Sequence, residues 1–294
     1  MQIEKTREKL YQLAKDGVLF SLNLPDTTLT RALVKNFFGK MIHTVIDFAV
    51  DFDQRILNDG VQLAARWVAE KCGTPVVSYG TENIPTTGPV LVAANHPGLT
   101  DSIALISTVP RQDIKALVAV QYFHQLPHAK PHLIYTDRSM GSSVRAVREA
   151  IKHLQSGGLL LLFPTGHNDP DPDVQPTANL GFNKWSSSVS LFLRKVPETK
   201  LLLSVISGIV APQYLKHPIA RIQPNRRFQQ RVAELFQMYA QFIRKPETPL
   251  GKPRVSFAEP IRWDQLANSA SQSVDLQIQT LAQQLLASHM NQAA

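Results

Sequence analysis

Apolar residues recur every three or four positions through the first 73 residues. Leu29, Leu33, Phe37, Met41, Val45 and Phe48 mark one stripe, and Ile56, Leu63 and Trp67 continue it. That spacing matches the 3.6-residue period of an α-helix. Asp26, Thr27 or Thr28 offers an N-cap for the first long helix, and Gly73 offers a stop for the second. Residues 1–74 are therefore predicted to form a helical hairpin packed on the rest of the chain.

From Pro75 the pattern changes to short apolar runs alternating with longer periodic segments. The runs at 75–80, 90–94, 116–120, 133–136, 159–163, 201–206 and 254–257 read as strands. Helices are predicted at 100–108, 142–155, 182–195, 227–244 and 274–290, with Ser142 or Ser143 as an N-cap and Gly157-Gly158 as a stop. Strand–helix alternation implies an α/β fold, a sheet flanked by helices, over residues 75–294. In such sheets ligands bind beyond the carboxyl ends of the strands, so chemistry is sought there.

Composition narrows the class. The chain has 294 residues, 44% hydrophobic and 18% charged, which is a folded globular composition. The single cysteine, Cys72, excludes an intramolecular disulfide and a multi-cysteine zinc site, and fits a reducing compartment. The first residues lack the h-region of a signal peptide, and no run of about 18 apolar residues exists to span a membrane. The net charge is +8, and it is unevenly placed. Residues 1–74 carry ten basic and nine acidic side chains, whereas residues 214–262 carry ten basic and three acidic. A basic block of this kind implies an anionic partner, such as a phospholipid surface or a phosphorylated substrate. Its aromatics are periodic, unlike those of a base-stacking surface, and no nucleic-acid-binding motif accompanies it.

The strongest chemical signal is the segment Asn95-His96-Pro97-Gly98-Leu99-Thr100-Asp101, which follows an apolar strand. His96 then emerges at the carboxyl end of the strand, and Pro97-Gly98 turns the chain back. Such a turn can bring the Asp101 carboxylate to the imidazole, fixing its tautomer and leaving Nε2 to accept a proton. The same spacing also fits an Asp that merely caps a helix. No Gly-x-Ser-x-Gly elbow is present, and Cys72 lies outside the sheet region. A base without a protein nucleophile implies that the attacking hydroxyl belongs to a second substrate.

Four segments in order resemble the blocks of the glycerolipid acyltransferase family, the glycerol-3-phosphate and lysophosphatidate acyltransferases. His96 to Asp101 resembles its H-x4-D block, and Leu133-Ile134-Tyr135-Thr136-Asp137-Arg138 its G-x-x-F-I-D-R block. Leu160-Leu161-Leu162-Phe163-Pro164-Thr165-Gly166 is similar to F-P-E-G-T-R-S, and the run from Leu202 to Val210 falls where V-P-V-x-P is expected. The resemblance implies a mixed sheet flanked by helices and a transfer of acyl groups from acyl-CoA or acyl carrier protein to a glycerolipid-type hydroxyl. It implies no further cofactor and no metal. It also implies a peripheral position on the cytoplasmic face of a membrane.

On this reading His96 is the general base and Asp101 its orienter, with backbone N–H groups of the Pro97–Thr100 turn stabilising the oxyanion. Asn95, Gly98, Arg138, Thr165, Gly166 and His167 are the substrate-binding candidates. The departures fall in the third block, where Thr165, His167 and Asn168 replace the family's Glu, Thr and Arg. Arg138 survives and can hold a phosphate through paired hydrogen bonds. Altered phosphate recognition leaves two other expectations open, a lipid-binding member without catalysis and a thioesterase or esterase that uses water.

Other clusters carry less. His124, His128 and His132 recur at spacing four, but Pro127 and Pro131 break the helix a metal face would need. Asp169, Asp171 and Asp173 mimic a calcium loop, yet Val174 and Leu180 occupy its required Gly and Glu positions. A stiff, proline-filled surface loop is expected there. Gly141-Ser142-Ser143 reads as a helix cap before it reads as an anion site. The stripe Phe228, Val232, Leu235, Phe236, Tyr239 and Phe242, flanked by arginines, fits a core-facing helix or a membrane-contact one. Residues 214–221, irregular, apolar and basic together, fit a lid on a membrane or substrate.

Overall fold

The structure, a computed structural model, describes residues 2–71, 75–119, 122–137, 139–175, 178–244, 251–267 and 273–292. Three helices come first, not two: α1 (Gln2–Ser21), α2 (Thr28–Asp59) and α3 (Val61–Lys71). Thr27 caps α2 through a reciprocal pair, its hydroxyl accepting the Thr30 N–H at 3.2 Å while its own N–H meets the Thr30 hydroxyl at 3.0 Å. Gly60, at φ +87°, separates α2 from α3, a left-handed backbone that side chains resist. The expected hairpin is thus divided once more, and Gly73 lies outside the described residues.

The stripe expected to be buried on α2 is only partly so. Leu29 and Phe37 are about two-thirds exposed, at 70% and 68%, and Leu33 is exposed too. The buried stripe runs through Thr30, Val34, Phe38, Met41, Ile42 and Ile46, one position along. A period gives the spacing of contacts but not the face when both faces carry apolar residues.

The remaining elements alternate as α/β: β1 (Val77–Tyr79), β2 (Val90–Ala94), α4 (Asp101–Thr108), β3 (Ile114–Val118), β4 (Leu133–Tyr135), α5 (Met140–Gln155), β5 (Leu159–Leu162), α6 (Asn179–Phe182), α7 (Ser188–Lys195), β6 (Lys200–Ser207), α8 (Pro212–Leu215), α9 (Pro218–Arg221), α10 (Arg226–Tyr239), β7 (Arg254–Phe257), α11 (Trp263–Ala267) and α12 (Val274–Asn291). The strands form one seven-stranded sheet in the order β1-β7-β6-β2-β5-β3-β4. Its five strands from β6 to β4 are parallel, and β7 pairs antiparallel with β6, so the sheet is mixed as expected.

Successive residues of the central strands enter two different cores. Val90, Val92, Leu159, Leu161, Leu202 and Ile206 join the N-terminal helices, α4 and α10 on one face. Leu91, Ala93, Leu160, Leu162, Leu201 and Leu203 join α5, α7 and α12 on the other. Both faces are covered, which is why these strands read as continuous apolar runs instead of alternating ones. A fully buried Leu or Ile contributes roughly 2 kcal/mol. The ion pairs of the N-terminal helices, Arg7–Asp47 and Arg31–Asp26, are exposed and contribute little by comparison. Apolar packing therefore holds these helices on the sheet.

Three local expectations change. The helix expected over 182–195 starts only at Ser188, as α7, after the short α6 has ended at Phe182. Helix α5 starts earlier than expected, capped by the Ser139 hydroxyl, which accepts the Ser142 N–H at 3.3 Å. The stretch 214–221 is not irregular but forms α8 and α9, with Tyr214 and Leu215 packed on the core and His217 stacked on Phe236 at 4.1 Å.

Candidate active site

The loops that leave β2, β5 and β6 meet at one edge of the sheet, because these three parallel strands are neighbours. β2 is the central strand, and its chain exits through Asn95. The Asn95 side chain is buried and copies a strand pair: its Nδ2 donates to Ile206 O at 2.8 Å and its Oδ1 accepts the Ile206 N–H at 2.8 Å. Asn95 thus extends the β2–β6 register by one step and delivers His96 at a fixed point. This is a structural use of a residue that the sequence marks as a substrate contact.

His96 Nδ1 lies 2.6 Å from Asp101 Oδ2. A carboxylate only accepts, so Nδ1 carries the proton and Nε2 keeps its lone pair. Asp101 is fully buried at the start of α4. Its oxygens also accept the Gly98 N–H at 3.0 Å and the Ser102 N–H at 2.6 Å, which fixes its orientation. The imidazole retains 27% of its side-chain surface, with the Phe163 ring stacked on it at 4.4 Å. Burial disfavours the imidazolium, but the Asp101 carboxylate, aided by Asp169 and Glu234, outweighs it and raises the His96 pKa above its ordinary value.

The third-block segment packs against His96 through the backbone. The Asp169 carboxylate accepts the His96 N–H at 2.9 Å, and the Asp169 N–H returns a bond to His96 O at 2.7 Å. The Thr165 hydroxyl lies 2.8 Å from His167 O and 3.1 Å from Asp169 Oδ2. Gly166 turns the chain at φ +66° and is exposed. His167 is half-buried, with Nδ1 3.3 Å from Asn168 O. Burial pushes the Asp169 carboxyl above the usual range, against the hydrogen bonds from His96 and Thr165. Thr165 is thereby joined to the His96 backbone through the Asp169 carboxylate, and to His167 through its carbonyl. Arg138 lies outside the described residues.

Two expectations are corrected here. The 169–173 loop is not a surface loop, since Asp169 and Asp171 are buried. Asp171 accepts N–H groups from Gly208 at 3.0 Å and Val210 at 2.9 Å, tying this loop to the end of β6. Burial moves its carboxyl up to about 6. The second correction concerns the N–H groups of the Pro97–Thr100 turn, which are already engaged. Gly98 donates to Asp101, while Leu99 and Thr100 donate to Glu234 at 2.8 and 3.3 Å. The turn as it stands offers no vacant donor pair to an oxyanion.

Asp169, Gln230 and Glu234 are the site residues that sequence reasoning missed. Gln230, Glu234 and Gln237 form a polar row on α10, visible as spacing four and three, but the apolar stripe on the same helix masks it. That stripe itself faces the core: Phe236 and Tyr239 pack on Phe38 at 6.1 Å, and Val232 is fully buried.

Elsewhere the structure offers less. The three histidines do not converge, His132 Nδ1 being 2.9 Å from Ile114 O and His124 packed edge-on against Tyr135. Among the described residues no group of three or more His, Cys, Asp or Glu side chains can hold a metal ion. A cavity of about 620 Å³ opens at the far end of α4, between Arg66, Glu70, Ser78, Glu82 and Thr108, and no motif residue lines it. The chemistry of His96 outweighs its volume as a guide to the site.

Residues 75–186 match the acyltransferase family model. Among solved structures the chain is similar to the 1-acyl-sn-glycerophosphate (LPA) acyltransferase of Thermotoga maritima, at 19% identity over 97% of this chain and 96% of that one, with a TM-score of 0.48. No curated protein matches its sequence.

Proposed function

We propose that this chain, whose residues 75–186 match the acyltransferase family model, moves a fatty acyl group from a thioester donor to a hydroxyl of a glycerolipid-type acceptor. The acceptor is a lysophospholipid or glycerol 3-phosphate, and the donor is acyl-CoA or acyl carrier protein. The observation that carries the reading is the 2.6 Å contact between His96 Nδ1 and the buried Asp101 carboxylate at the end of the central strand.

His96 Nε2 takes the proton of the acceptor hydroxyl as its oxygen attacks the thioester carbonyl carbon. The C–O bond forms, the tetrahedral intermediate collapses, and the C–S bond breaks. The imidazolium returns its proton to the departing sulfur, giving free thiol and ester. Asp101 favours the imidazolium that forms between these steps. No protein nucleophile is needed, so no acyl-enzyme is formed.

Membrane partnership is part of this reading. Leu29, Leu33 and Phe37 line up on the exposed face of α2 at four-residue spacing. Phe20 at the end of α1 packs on Phe228 of α10, and Ile219 and Ile222, a few residues before α10, are exposed, as are Lys216, Arg221, Arg226 and Arg227. An apolar and basic surface of this composition suits peripheral attachment to anionic lipid on the cytoplasmic side. Among the described residues no helix is long and apolar enough to cross a membrane.

The test is thiol release from acyl-CoA with glycerol 3-phosphate, lysophospholipids and non-phosphorylated alcohols as acceptors. Release that requires an acceptor is transfer; release without one is hydrolysis, the activity of a thioesterase. His96→Ala is expected to abolish release while circular dichroism stays native. Appreciable turnover by that variant removes His96 as the base.

A further inference from the structure

Helix α10 lies beyond the family-matched residues, yet two of its side chains reach into the turn that carries His96. Gln230 and Glu234 sit one helical turn apart and are each 2% exposed. The Glu234 oxygens lie 2.8 and 2.9 Å from the Leu99 nitrogen, and one of them is 3.3 Å from the Thr100 nitrogen and 3.4 Å from its hydroxyl. Gln230 Nε2 donates to Pro97 O and, at 2.9 Å, to Asp169 O. Its Oε1 accepts the Asp171 N–H at 3.0 Å and Gln175 Nε2 at 2.7 Å. One helix therefore holds both loops that flank the imidazole.

Glu234 makes no ion pair with Lys or Arg among the described residues. Its partners are the bare N–H groups at the start of α4, the end of a helix that favours an anion. Gly98 allows the approach, since a Cβ there would stand 2.8 Å from Glu234 Oε1 and 2.6 Å from Ile209 Cγ2. Three carboxylates thus surround the base: Asp101 from α4, Asp169 from the third-block loop and Glu234 from α10.

We propose that Glu234 is a positioning residue for His96. It locks the Pro97–Thr100 turn so that Asp101 meets Nδ1, and its charge favours the imidazolium. The proposal rests on the reading of His96 as general base. Burial pushes the Glu234 carboxyl up to about 8, and in its ionised form it raises the His96 pKa, so the two groups are coupled.

The experiment compares wild type, Glu234→Gln and His96→Ala in the full chain. It measures acyl transfer against pH and the titration of the His96 imidazole by NMR, which needs no turnover. Glu234→Gln is expected to lower kcat about tenfold or more with the donor KM little changed. Its imidazole is expected to titrate at lower pH than the wild-type imidazole. An imidazole titration unchanged by Glu234→Gln, or a kcat within about twofold of wild type, overturns the proposal. Should Glu234→Gln fail to fold, Glu234→Asp carries the test, because it keeps the charge and withdraws it from Leu99. Reduced kcat with the imidazole still titrating high then supports the proposal, and full activity overturns it. Failure of the general-base reading is a different result: His96→Ala then matches wild type, whatever Glu234 does to the imidazole titration.

Discussion

Gly98 shows how little room the turn between His96 and Asp101 leaves. Its N–H orients Asp101, and its missing side chain admits both Glu234 and Ile209. A methyl group here meets the Ile209 side chain on one side and the buried Glu234 carboxylate on the other, so these side chains must give way. Gly98→Ala is expected to cost about 1–3 kcal/mol, the usual range for overpacking, and to lower kcat as the turn shifts. Urea unfolding and transfer assays measure the two effects. Combining Gly98→Ala with Glu234→Ala should cost less than the sum of the single changes, because the second relieves the clash of the first. Strict additivity would show that the two groups do not meet. Asn95 teaches a related lesson. An amide beside a catalytic His reads as a substrate contact, yet both of its functions are used to hold Ile206.

At the scale of elements, α2 and α10 each carry two stripes. On α2 one stripe enters the core and the other, Leu29, Leu33 and Phe37, faces outward. Replacing Leu29 and Phe37 with Glu removes no core contact, so the fold and melting temperature should hold. Co-sedimentation with anionic vesicles should fall at least severalfold, since the lost apolar area and the added negative charge both weaken binding. Equal binding by the variant would detach α2 from the membrane reading. On α10 the apolar stripe packs on the N-terminal helices while the polar row holds the motif loops. The helix thereby joins the N-terminal helices, which share its core, to the chemistry at the sheet edge.

The whole molecule has two cores on one mixed sheet, and several buried titratable groups lie where loops and helices close over the strand ends. His289 on α12 is one of these. It is buried between Ser207 of β6 and Ser256 of β7, at 2.8 and 2.7 Å, and burial with the nearby Arg254 charge lowers its pKa to about 4. The unfolded histidine titrates near 6.5, so between pH 6.5 and 4 the unfolded chain binds the extra proton. The stability from neutral His289 is therefore complete above 6.5 and is lost as pH falls toward 4. The loss is about 3 kcal/mol on the scale of 1.36 kcal/mol per pH unit. His289→Gln, which can still bond both serines, is expected to lack this dependence. Urea titrations at pH 7 and pH 4 check it, and identical pH dependence in the two proteins would remove His289 from the account.

The sequence by itself determined the alternation of strands and helices, the position of β2 and β7 to the residue, and the single turn that separates His96 from Asp101. These depend on neighbours within a few residues: a two-residue or 3.6-residue period, an apolar run bounded by turns, a His and an Asp joined by one turn. The order of the four blocks added a resemblance to an acyltransferase family, whose model matches residues 75–186. Only the tertiary structure decided which face of α2 is buried, that the 169–173 loop lies inside, and that Glu234 occupies the N–H groups of the catalytic turn. Each of these joins segments far apart along the chain, and nothing in local spacing records which loops the parallel strands bring to a common edge. Glu234 carries no motif of its own; its meaning comes from the helix end it meets.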